Sequence, residues 1–367
     1  MEPLIQTSQS SQWQHIKTAL YQDRFLYGYV FVTTLLLYAL SFLLGNDTKF
    51  DFNPFIYLAT LVQVCYVSFL VWASGYFLYL LYHKTPHPLA HFFQAIKGFF
   101  QPLSKAVSFI LLVLALNLTF SSYTFLKPLI PEINPFQYDA LFYDLDKWLH
   151  LGYSPWELTH SLFSSAFATS LLNFLYHLWF LLMWGSVLFF IVRRDLTKLR
   201  TQFLITFLTS WLLIGGVGAI LLSSAGPCYL HLLDPQAIQY EPLMQRLETQ
   251  NQQLIQNGWF GLWALNVQDT LWQMHISEEP GIGGGISAMP SMHIAIAVAM
   301  ALAAYRHNRK LGVVMWSYAL AIQIGSVHLA WHYAIDGYLS FVLTIVIWKL
   351  VGWLQTRFRR TITSQHV

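Results

Sequence analysis

Charged residues are scarce in this sequence. Only 10% of its 367 residues are charged and 56% are hydrophobic, whereas soluble domains are roughly 25% charged. This shortage of charge excludes an ordinary soluble domain and indicates an integral membrane protein. The net charge is only +3, and no block of Lys or Arg has the form of a nucleic-acid footprint, so we expect no nucleic-acid partner.

Cysteine is rarer still, with only Cys65 and Cys228. Two such residues, one in an apolar stretch and one in a loop, form no disulfide framework. A cleavable signal peptide is also missing, because residues 1–24 are polar and no small-residue cleavage pattern follows the first apolar run. We therefore expect that run to be retained as the first membrane span.

Long apolar stretches, in contrast, are abundant. A helical span needs about 20 apolar residues, and eight stretches approach or exceed that length: residues 25–44, 55–81, 107–125, 166–192, 203–222, 290–304, 311–329 and 333–354. The sixth is short. The last two form one tract too long for a single span, so we expect a tight turn near residues 328–333. The sequence thus predicts an all-α fold, a polytopic membrane helical bundle with about eight transmembrane helices.

The distribution of basic residues predicts the orientation of these spans. If the N-terminus is cytoplasmic, all but four of the 20 Lys and Arg residues fall in cytoplasmic segments, as the positive-inside rule requires. The exceptions are Lys49, Lys127, Lys147 and Arg246. Both termini are then cytoplasmic, and the ends of the spans that carry His293 and His332 face the periplasm or a lumen.

The chain divides by pattern into an N-terminal part and a core. Residues 1–104 are predicted to hold a polar tail, a two-helix transmembrane hairpin and a cytoplasmic linker. The linker contains three histidines, for which we expect a solvated segment, with metal binding as the alternative: His83, His87 and His91. Residues 105–367 are predicted to form a six-helix core with extracytoplasmic loops at 127–165 and 223–289.

The two outer loops are predicted to contain amphipathic helices at the membrane surface. In the first loop, Asp139, Asp144 and Asp146 are expected on a wetted polar face, with cation binding as the alternative. In the second, residues 241–256 have apolar side chains at helical spacing, and several tryptophans follow. This pattern predicts either a cap that frames lipid entry or a packed structural lid.

A glycine run precedes the sixth span. Gly284 and Gly285 belong to it, and Pro290 and Ser291 follow. Backbone N–H groups exposed at a helix start favour an anion, although a flexible linker is an equally good interpretation of the glycines. No Gly-Lys-Ser/Thr string follows, which excludes a P-loop.

Two short strings place histidines beside or inside apolar spans, where ionisable groups are functional candidates. One is Pro290-Ser291-Met292-His293. The other runs from His328 through His332 to Asp336. On a helix, His332 and Asp336 would share a face and hydrogen-bond, which would leave the other imidazole nitrogen free to attack or accept a proton. The alternatives are a buried pair that only locks helices, and a Zn²⁺ site formed with His328.

These strings resemble the second and third motifs of the type 2 phosphatidic acid phosphatase superfamily. The later string is most similar to the branch of inositol phosphorylceramide and sphingomyelin synthases, where it also reads His-Tyr-x-x-Asp. The resemblance implies a six-helix phosphatase-like core over roughly residues 105–354. It also implies His332 as nucleophile, Asp336 as its orienting carboxylate and His293 as acid and base, with no cofactor and no metal.

The sequence departs from the superfamily at two phosphate-binding positions. No Arg-Pro dipeptide occurs, so the first motif, a lysine followed seven residues later by Arg-Pro, is interpreted as absent. Gly325 and Ser326 stand where the third motif usually has Ser-Arg. We therefore expect other groups to hold a phosphate: Ser291, His328, Gly284, Gly285, Lys147 and Arg246.

The resemblance implies an enzyme that takes lipid substrates from the bilayer. The departures favour a phosphotransferase that moves a phospho-headgroup from a phospholipid to a lipid hydroxyl through a phosphohistidine. A phosphatase of phosphatidic acid or polyprenyl phosphate is the alternative, and a lipid transporter or scaffold is the non-enzymatic one. The transporter would need paired charges near mid-membrane and repeated halves. The sequence does not determine the donor, the acceptor or the oligomeric state.

Overall fold

The structure, a computed structural model, describes residues 3–44, 52–277 and 281–364, and all the regular structure in these ranges is helical. The all-α prediction is therefore confirmed. The helices of eight or more residues are α1 (Pro3–Leu44), α2 (Leu58–Tyr82), α3 (Pro88–Phe100), α4 (Leu103–Leu126), α5 (Asp139–Leu149), α6 (Pro155–Leu162), α7 (Ala166–Val192), α8 (Thr197–Leu212), α9 (Glu241–Gln256), α10 (Trp263–Ile276), α11 (Met292–His307), α12 (Arg309–His328) and α13 (Ala334–Ser364).

Short helical turns extend or join these helices. Lys127–Leu129 and Ile130–Ile133 prolong α4, and a π-helical segment, Leu213–Gly218, leads from α8 into Ala219–Leu221. The remaining turns are Arg194–Leu196, Pro227–Tyr229 and Leu230–Leu233. As a result, α4 and α8 each continue past their regular ends toward the outer loops.

All eight predicted spans are helical, and within the described ranges seven helical stretches are long and apolar enough to cross a membrane. They cover residues 12–43, 58–82, 103–133, 166–192, 194–221, 309–328 and 334–357. The sixth predicted span is α11, an apolar helix of only 16 residues. The protein is thus an integral membrane protein of the polytopic type.

The short helix α11 lies at the centre of the bundle. Its residues from Ile294 to Met300 are almost completely buried, and it packs on α7, α8, α12 and α13. Near the α11–α12 junction the helices approach closely, since a Cβ added to Gly312 would lie 2.4 Å from the Cα of Tyr305. Only glycine permits that backbone approach.

The two helices of the predicted N-terminal hairpin pack very differently. Helix α1 packs along α4 and α8, and its buried Asp23 forms ion pairs with Arg200 at 2.6 Å and Arg194 at 2.7 Å. Helix α2 buries only Leu61 and Leu80. Helices α1 and α8 extend beyond their predicted apolar windows and carry Asp23 and Arg200 into the bundle, where both are buried.

The predicted cytoplasmic linker contains a helix rather than only a solvated segment. Pro88 stands in the first turn of α3, where its fixed φ and missing N–H are tolerated. The Trp72 ring of α2 packs against Phe92 and Phe99 of α3, with ring centroids 6.5 and 4.6 Å apart. These aromatic contacts are the physical reason that the segment is helical.

The outer loops contain the expected short helices. Residues 241–256 form α9, as predicted, and Leu243, Leu247 and Leu254 are buried against the rest of the protein. Trp259 and Phe260, in contrast, are exposed. The second loop thus buries one face of α9 against the protein and exposes two aromatic side chains after it. Its relation to lipid entry remains a prediction.

Candidate active site

The last two spans are joined by the α12–α13 turn, residues 329–333. The backbone N–H groups of Trp331 and His332 both donate to the carbonyl oxygen of Ser326, at 2.9 and 3.1 Å. The predicted position of the turn is therefore confirmed. These two bonds to one oxygen fold the chain back sharply and set the place of His332.

No glycine or proline occupies the turn, and Ala330 takes the left-handed conformation instead, with φ 61°. That conformation disfavours any residue with a Cβ by roughly 1–2 kcal/mol. The carbonyl oxygen of Ala330 accepts a hydrogen bond from the N–H of Cys228 at 3.0 Å. The outer segment after α8 thus holds the turn in its strained conformation.

His332 and Asp336 form the hydrogen-bonded pair that their spacing predicted. His332 Nδ1 lies 3.1 Å from Asp336 Oδ2. The two do not share a helix face, however, because His332 precedes α13 and only Asp336 lies in its first turn. The N–H of Tyr333 also donates to Asp336 Oδ2, at 3.1 Å, so that the carboxylate caps the helix start.

This arrangement fixes the imidazole. An ionised Asp336 accepts, so Nδ1 of His332 must carry a proton, which leaves Nε2 with a lone pair. No protein atom within the described ranges hydrogen-bonds to that Nε2. His332 is only 7% exposed and Asp336 is fully buried. The free nitrogen is thus held in a largely water-excluded site.

His293 lies in the first turn of α11, which begins at the Ser291 cap. Its ring packs between two aromatic rings, with centroids 4.4 Å from those of Tyr176 and Trp179. Trp179 Nε1 donates to the His293 carbonyl oxygen at 2.9 Å. Within the described part of the chain, no protein group hydrogen-bonds to the ring nitrogens of His293. The ring is therefore held by packing and keeps both nitrogens available.

The two motifs meet directly. The Ser291 N–H donates to the carbonyl oxygen of Asp336 at 3.3 Å, and the ring centroids of His293 and His332 are 6.1 Å apart. The two imidazole rings are therefore neighbours in the fold. Ser291 itself is fully buried, and its Oγ accepts from the Ile294 N–H.

The glycine run is packed rather than free. Gly284 and Gly285 are buried, and a Cβ on Gly285, which has φ 81°, would lie 2.8 Å from the carbonyl carbon of Lys127. The Lys127 ammonium donates to the carbonyl oxygen of Gly283 at 3.4 Å. These contacts disfavour a flexible linker, and they place a lysine beside the glycines.

Lys127 is the cation that the sequence interpretation missed. It lies within electrostatic range of His293, and no carboxylate in the described ranges forms an ion pair with it. The signal was present, because Asn134-Pro135 follows Lys127 by seven residues, in the place of Arg-Pro. Asn134 donates from its side chain to the Ile220 carbonyl oxygen at 2.7 Å.

His328 lies apart from the His332–Asp336 pair. Its Nε2 is 2.8 Å from Thr169 Oγ1 and its Nδ1 is 3.2 Å from Thr159 Oγ1. It ends α12, so no continuous helix face joins it to His332 and Asp336, and the four-residue stripe considered as an alternative Zn²⁺ site does not form. Within the described residues, no group of three or more His, Cys, Asp or Glu is arranged to hold a metal ion.

The His328 ring stacks on that of His160, with centroids 3.6 Å apart. Burial lowers the pKa of His160 to about 4, so that this imidazole is neutral at neutral pH. Neutral imidazole rings can stack at this separation, whereas two imidazolium ions would repel each other. Both nitrogens of His328 already have protein partners, which argues for a structural role.

The other two predicted cations lie elsewhere, in the two loops predicted to be extracytoplasmic. Arg246 is exposed and donates to the Ser164 carbonyl oxygen at 3.2 Å. The Lys147 ammonium lies over the Tyr143 ring, 5.4 Å from its centroid. Neither side chain forms a hydrogen bond or an ion pair with His293, His332 or Asp336, and their part in substrate binding remains a prediction.

The aspartates of the first outer loop depart from the predicted wetted face. Asp144 is exposed, but Asp139 and Asp146 are buried. Burial raises the pKa of Asp146 to about 6, although hydrogen bonds from two backbone N–H groups favour its carboxylate. The hydropathy of the sequence does not predict that these two aspartates are buried, because their burial results from packing against the α12–α13 turn.

Comparison with known proteins gives one match. The sequence model of the PAP2 superfamily matches residues 140–350, more than half of the chain. The matched region runs from α5 into α13 and includes both histidines and Asp336. No curated protein and no solved structure matches.

Proposed function

The chain belongs to the PAP2 superfamily, and from this membership and the geometry of its two histidines we propose that it is a membrane lipid phosphotransferase. Membership supports a lipid phosphatase or phosphotransferase in general. The observation that carries the proposal is the pair of imidazoles 6.1 Å apart, one oriented by Asp336 and both with nitrogens free of protein partners.

The first half-reaction forms a phosphohistidine. His332 Nε2 attacks the phosphorus of a phospholipid, so that a P–N bond forms and the P–O bond to the lipid alcohol breaks. Protonated His293 gives its proton to the leaving oxygen. Asp336 stabilises the charge that His332 gains. Acid catalysis of this kind typically contributes about 10²- to 10⁴-fold to the rate.

The second half-reaction reverses these roles. Neutral His293 takes the proton of a lipid hydroxyl, whose oxygen attacks the phosphorus while the P–N bond breaks. His332 is restored with its lone pair, and His293 is restored as an acid. Because His293 first donates a proton to the leaving alcohol and then takes another from the acceptor hydroxyl, its protonation state is restored and the cycle needs no external acid or base.

The charges around the site support a phosphodiester donor. Lys127 lies beside the glycine run that leads to His293, and neither the first-motif nor the third-motif arginine is present. A single fixed cation matches the one negative charge of a phosphodiester better than the two charges of a phosphomonoester. This argument favours transfer of a phospho-headgroup, as in the synthase branch that the sequence resembles, with ceramide or diacylglycerol as the acceptor class.

Charge distribution also supports an extracytoplasmic site with both termini in the cytoplasm. Arg306, Arg309 and Lys310 lie at the α11–α12 junction, at the opposite end of α12 from the α12–α13 turn. A helix of 20 residues is ~30 Å long, so these cations and His332 lie on opposite sides of a bilayer core. The positive-inside rule assigns the basic side to the cytoplasm.

Product analysis tests the proposed reaction. Purified protein in detergent is incubated with EDTA and a phospholipid labelled in its headgroup phosphate, with and without ceramide or diacylglycerol. We expect a new labelled phospholipid only when the acceptor is present. Release of labelled phosphate or headgroup without acceptor would replace the transferase by a hydrolase. Turnover that is lost in EDTA and restored by Zn²⁺ would contradict the metal-free scheme.

The hydrolase is the second candidate, and Lys127 is the observation that favours it. The lysine keeps the first position of the motif that the phosphatases use, so the departure from that pattern is smaller than the sequence indicated. In a hydrolase, water replaces the lipid hydroxyl and the three site residues keep their roles.

Substitution of Lys127 by methionine is expected to lower kcat/KM by about 10- to 100-fold in either reaction, because a charge-assisted hydrogen bond to the phosphate is lost. Lys127→Arg should recover part of this loss. The matched control is Lys105→Met, which makes the same change at the exposed opposite end of α4. Equal kinetics for Lys127→Met and Lys105→Met would remove Lys127 from the phosphate site.

A further inference from the structure

One face of the short outer helix α5 carries two buried carboxylates. Asp139 begins the helix and Asp146 lies seven residues later, two turns along the same side. Asp144, between them, is exposed. Buried carboxylates are rare unless they are paired or hydrogen-bonded, so the partners of these two indicate what α5 is built to hold.

Asp139 binds two segments that meet at the site. Its Oδ1 accepts from the Gly226 N–H at 2.9 Å and from the Tyr333 hydroxyl at 2.9 Å, and its Oδ2 accepts from the Ala225 N–H at 3.0 Å. Tyr333 directly follows His332. One carboxylate thus ties the outer segment after α8 to the last residue of the α12–α13 turn.

Asp146 binds the start of α13. Its Oδ2 accepts from the Ala334 N–H at 2.7 Å and its Oδ1 from the Ile335 N–H at 2.9 Å. These are two of the donors that a helix N-terminus otherwise leaves unsatisfied, and the helix dipole favours a negative charge there. Because each carboxylate oxygen accepts one of these hydrogen bonds, Asp146 fixes the direction of the helix start as well as its position.

We propose that Asp139 and Asp146 are positioning residues for the proposed reaction, a carboxylate clamp that holds the α12–α13 turn from one outer helix so that His332 stays opposite His293. This inference rests on the proposed function for its kinetic part. The clamp touches no reacting atom. It acts on the residues that follow His332, through the Tyr333 hydroxyl and the backbone of Ala334 and Ile335, while Asp336 acts on the imidazole itself.

The clamp also has a consequence for where the phosphate binds. The N-terminus of α13 lies beside His332 and would attract an anion, but Asp146 already fills it. With its N–H groups bound to Asp146, this helix end is closed to the substrate phosphate.

Replacing each carboxylate by the amide tests the clamp. In Asp146→Asn and Asp139→Asn the side chain keeps its shape, but an NH₂ group faces backbone N–H donors, which leaves buried groups unsatisfied. We expect the turn to open more often, so that diethyl pyrocarbonate modifies His332 about tenfold faster, measured by mass spectrometry of its peptide. His307, exposed at the far end of α11, reports the unperturbed reagent rate.

Asp144→Asn is the matched control, because it makes the same change on the exposed face of the same helix, and we expect no change in the His332 rate. Tyr333→Phe is a milder test if the amide variants fold poorly. It removes only the hydroxyl bond to Asp139 and keeps the ring packed on Phe142 and Tyr240. Wild-type modification rates in Tyr333→Phe and in every folded amide variant would overturn the clamp.

Kinetics separate this inference from the proposed function. With an active protein, we expect kcat to fall in Asp146→Asn while KM stays within about twofold, because the clamp aligns His332 but does not touch the substrate. A rise in KM at constant kcat would contradict a positioning role. If the wild type turns over no donor, the proposed function fails, and the modification rates still decide whether the clamp exists.

Discussion

Replacing His332 with alanine is expected to abolish turnover, with a fall of at least about 10³-fold, while the protein keeps its fold. The reason is that the Nε2 lone pair is the proposed nucleophile, and the carboxylate of Asp336 orients His332 and not the neighbouring His293. His332 is also the group that Asp336 orients, so its loss removes the function of the carboxylate. The measurement is the initial rate of acceptor-dependent transfer, or of hydrolysis if water is the acceptor.

A matched control distinguishes lost chemistry from lost structure. His307→Ala makes the same change at the exposed far end of α11 and should leave the rate unchanged. Brief incubation of the wild type with labelled donor, without acceptor, should give an acid-labile label on the peptide that contains His332, and His332→Ala should give none. Activity above a tenth of wild type in His332→Ala, or a label on another residue, would overturn the nucleophile assignment.

Replacing Arg200 with methionine is expected to destabilise the protein by about 3–5 kcal/mol, because it leaves Asp23 buried without its closest cation. Arg200 is 4% exposed and Asp23 is 3% exposed, with Nη1 and Oδ1 2.6 Å apart. Ser108 also donates to Asp23, at 2.6 Å. The measurement is the midpoint of unfolding in detergent.

The same substitution at Arg193 is the control. Arg193 forms an exposed pair with Asp195, and exposed pairs contribute only about 0–1 kcal/mol. The double variant Asp23→Leu, Arg200→Met should regain much of the lost stability, because it removes both buried charges. A small effect of Arg200→Met, equal to that of Arg193→Met, would show that water reaches Asp23.

The fold was largely predictable because a lipid environment allows few ways for a chain to cross it. Each span must be apolar over a fixed length and must satisfy its own backbone, so hydropathy locates the helices. The turn near residues 328–333 was predictable for the same reason, since one apolar tract exceeded the length of a span. Helix α3 was not, because its helicity depends on aromatic contacts with α2.

The site was predictable where its residues are adjacent in sequence. His332 and Asp336 were found from spacing, although the pair forms across a helix start and not along a helix face. His328 has the same spacing but bonds Thr159 and Thr169, which only tertiary packing brings near. Asp146 was assigned to a wetted face because sequence spacing does not show which side of a helix another segment will cover.

The sparse packing of α2 bears on how the protein assembles. In a bilayer, each span can be stable as a separate helix before the helices associate. Helix α2, with only Leu61 and Leu80 buried, still resembles a separate helix in the finished bundle. Helix α1, in contrast, is bound to the bundle by the ion pairs of Asp23. Assembly order therefore need not follow chain order: α1 is committed by its contacts with α4 and α8, and α2 can join after the rest of the bundle has formed.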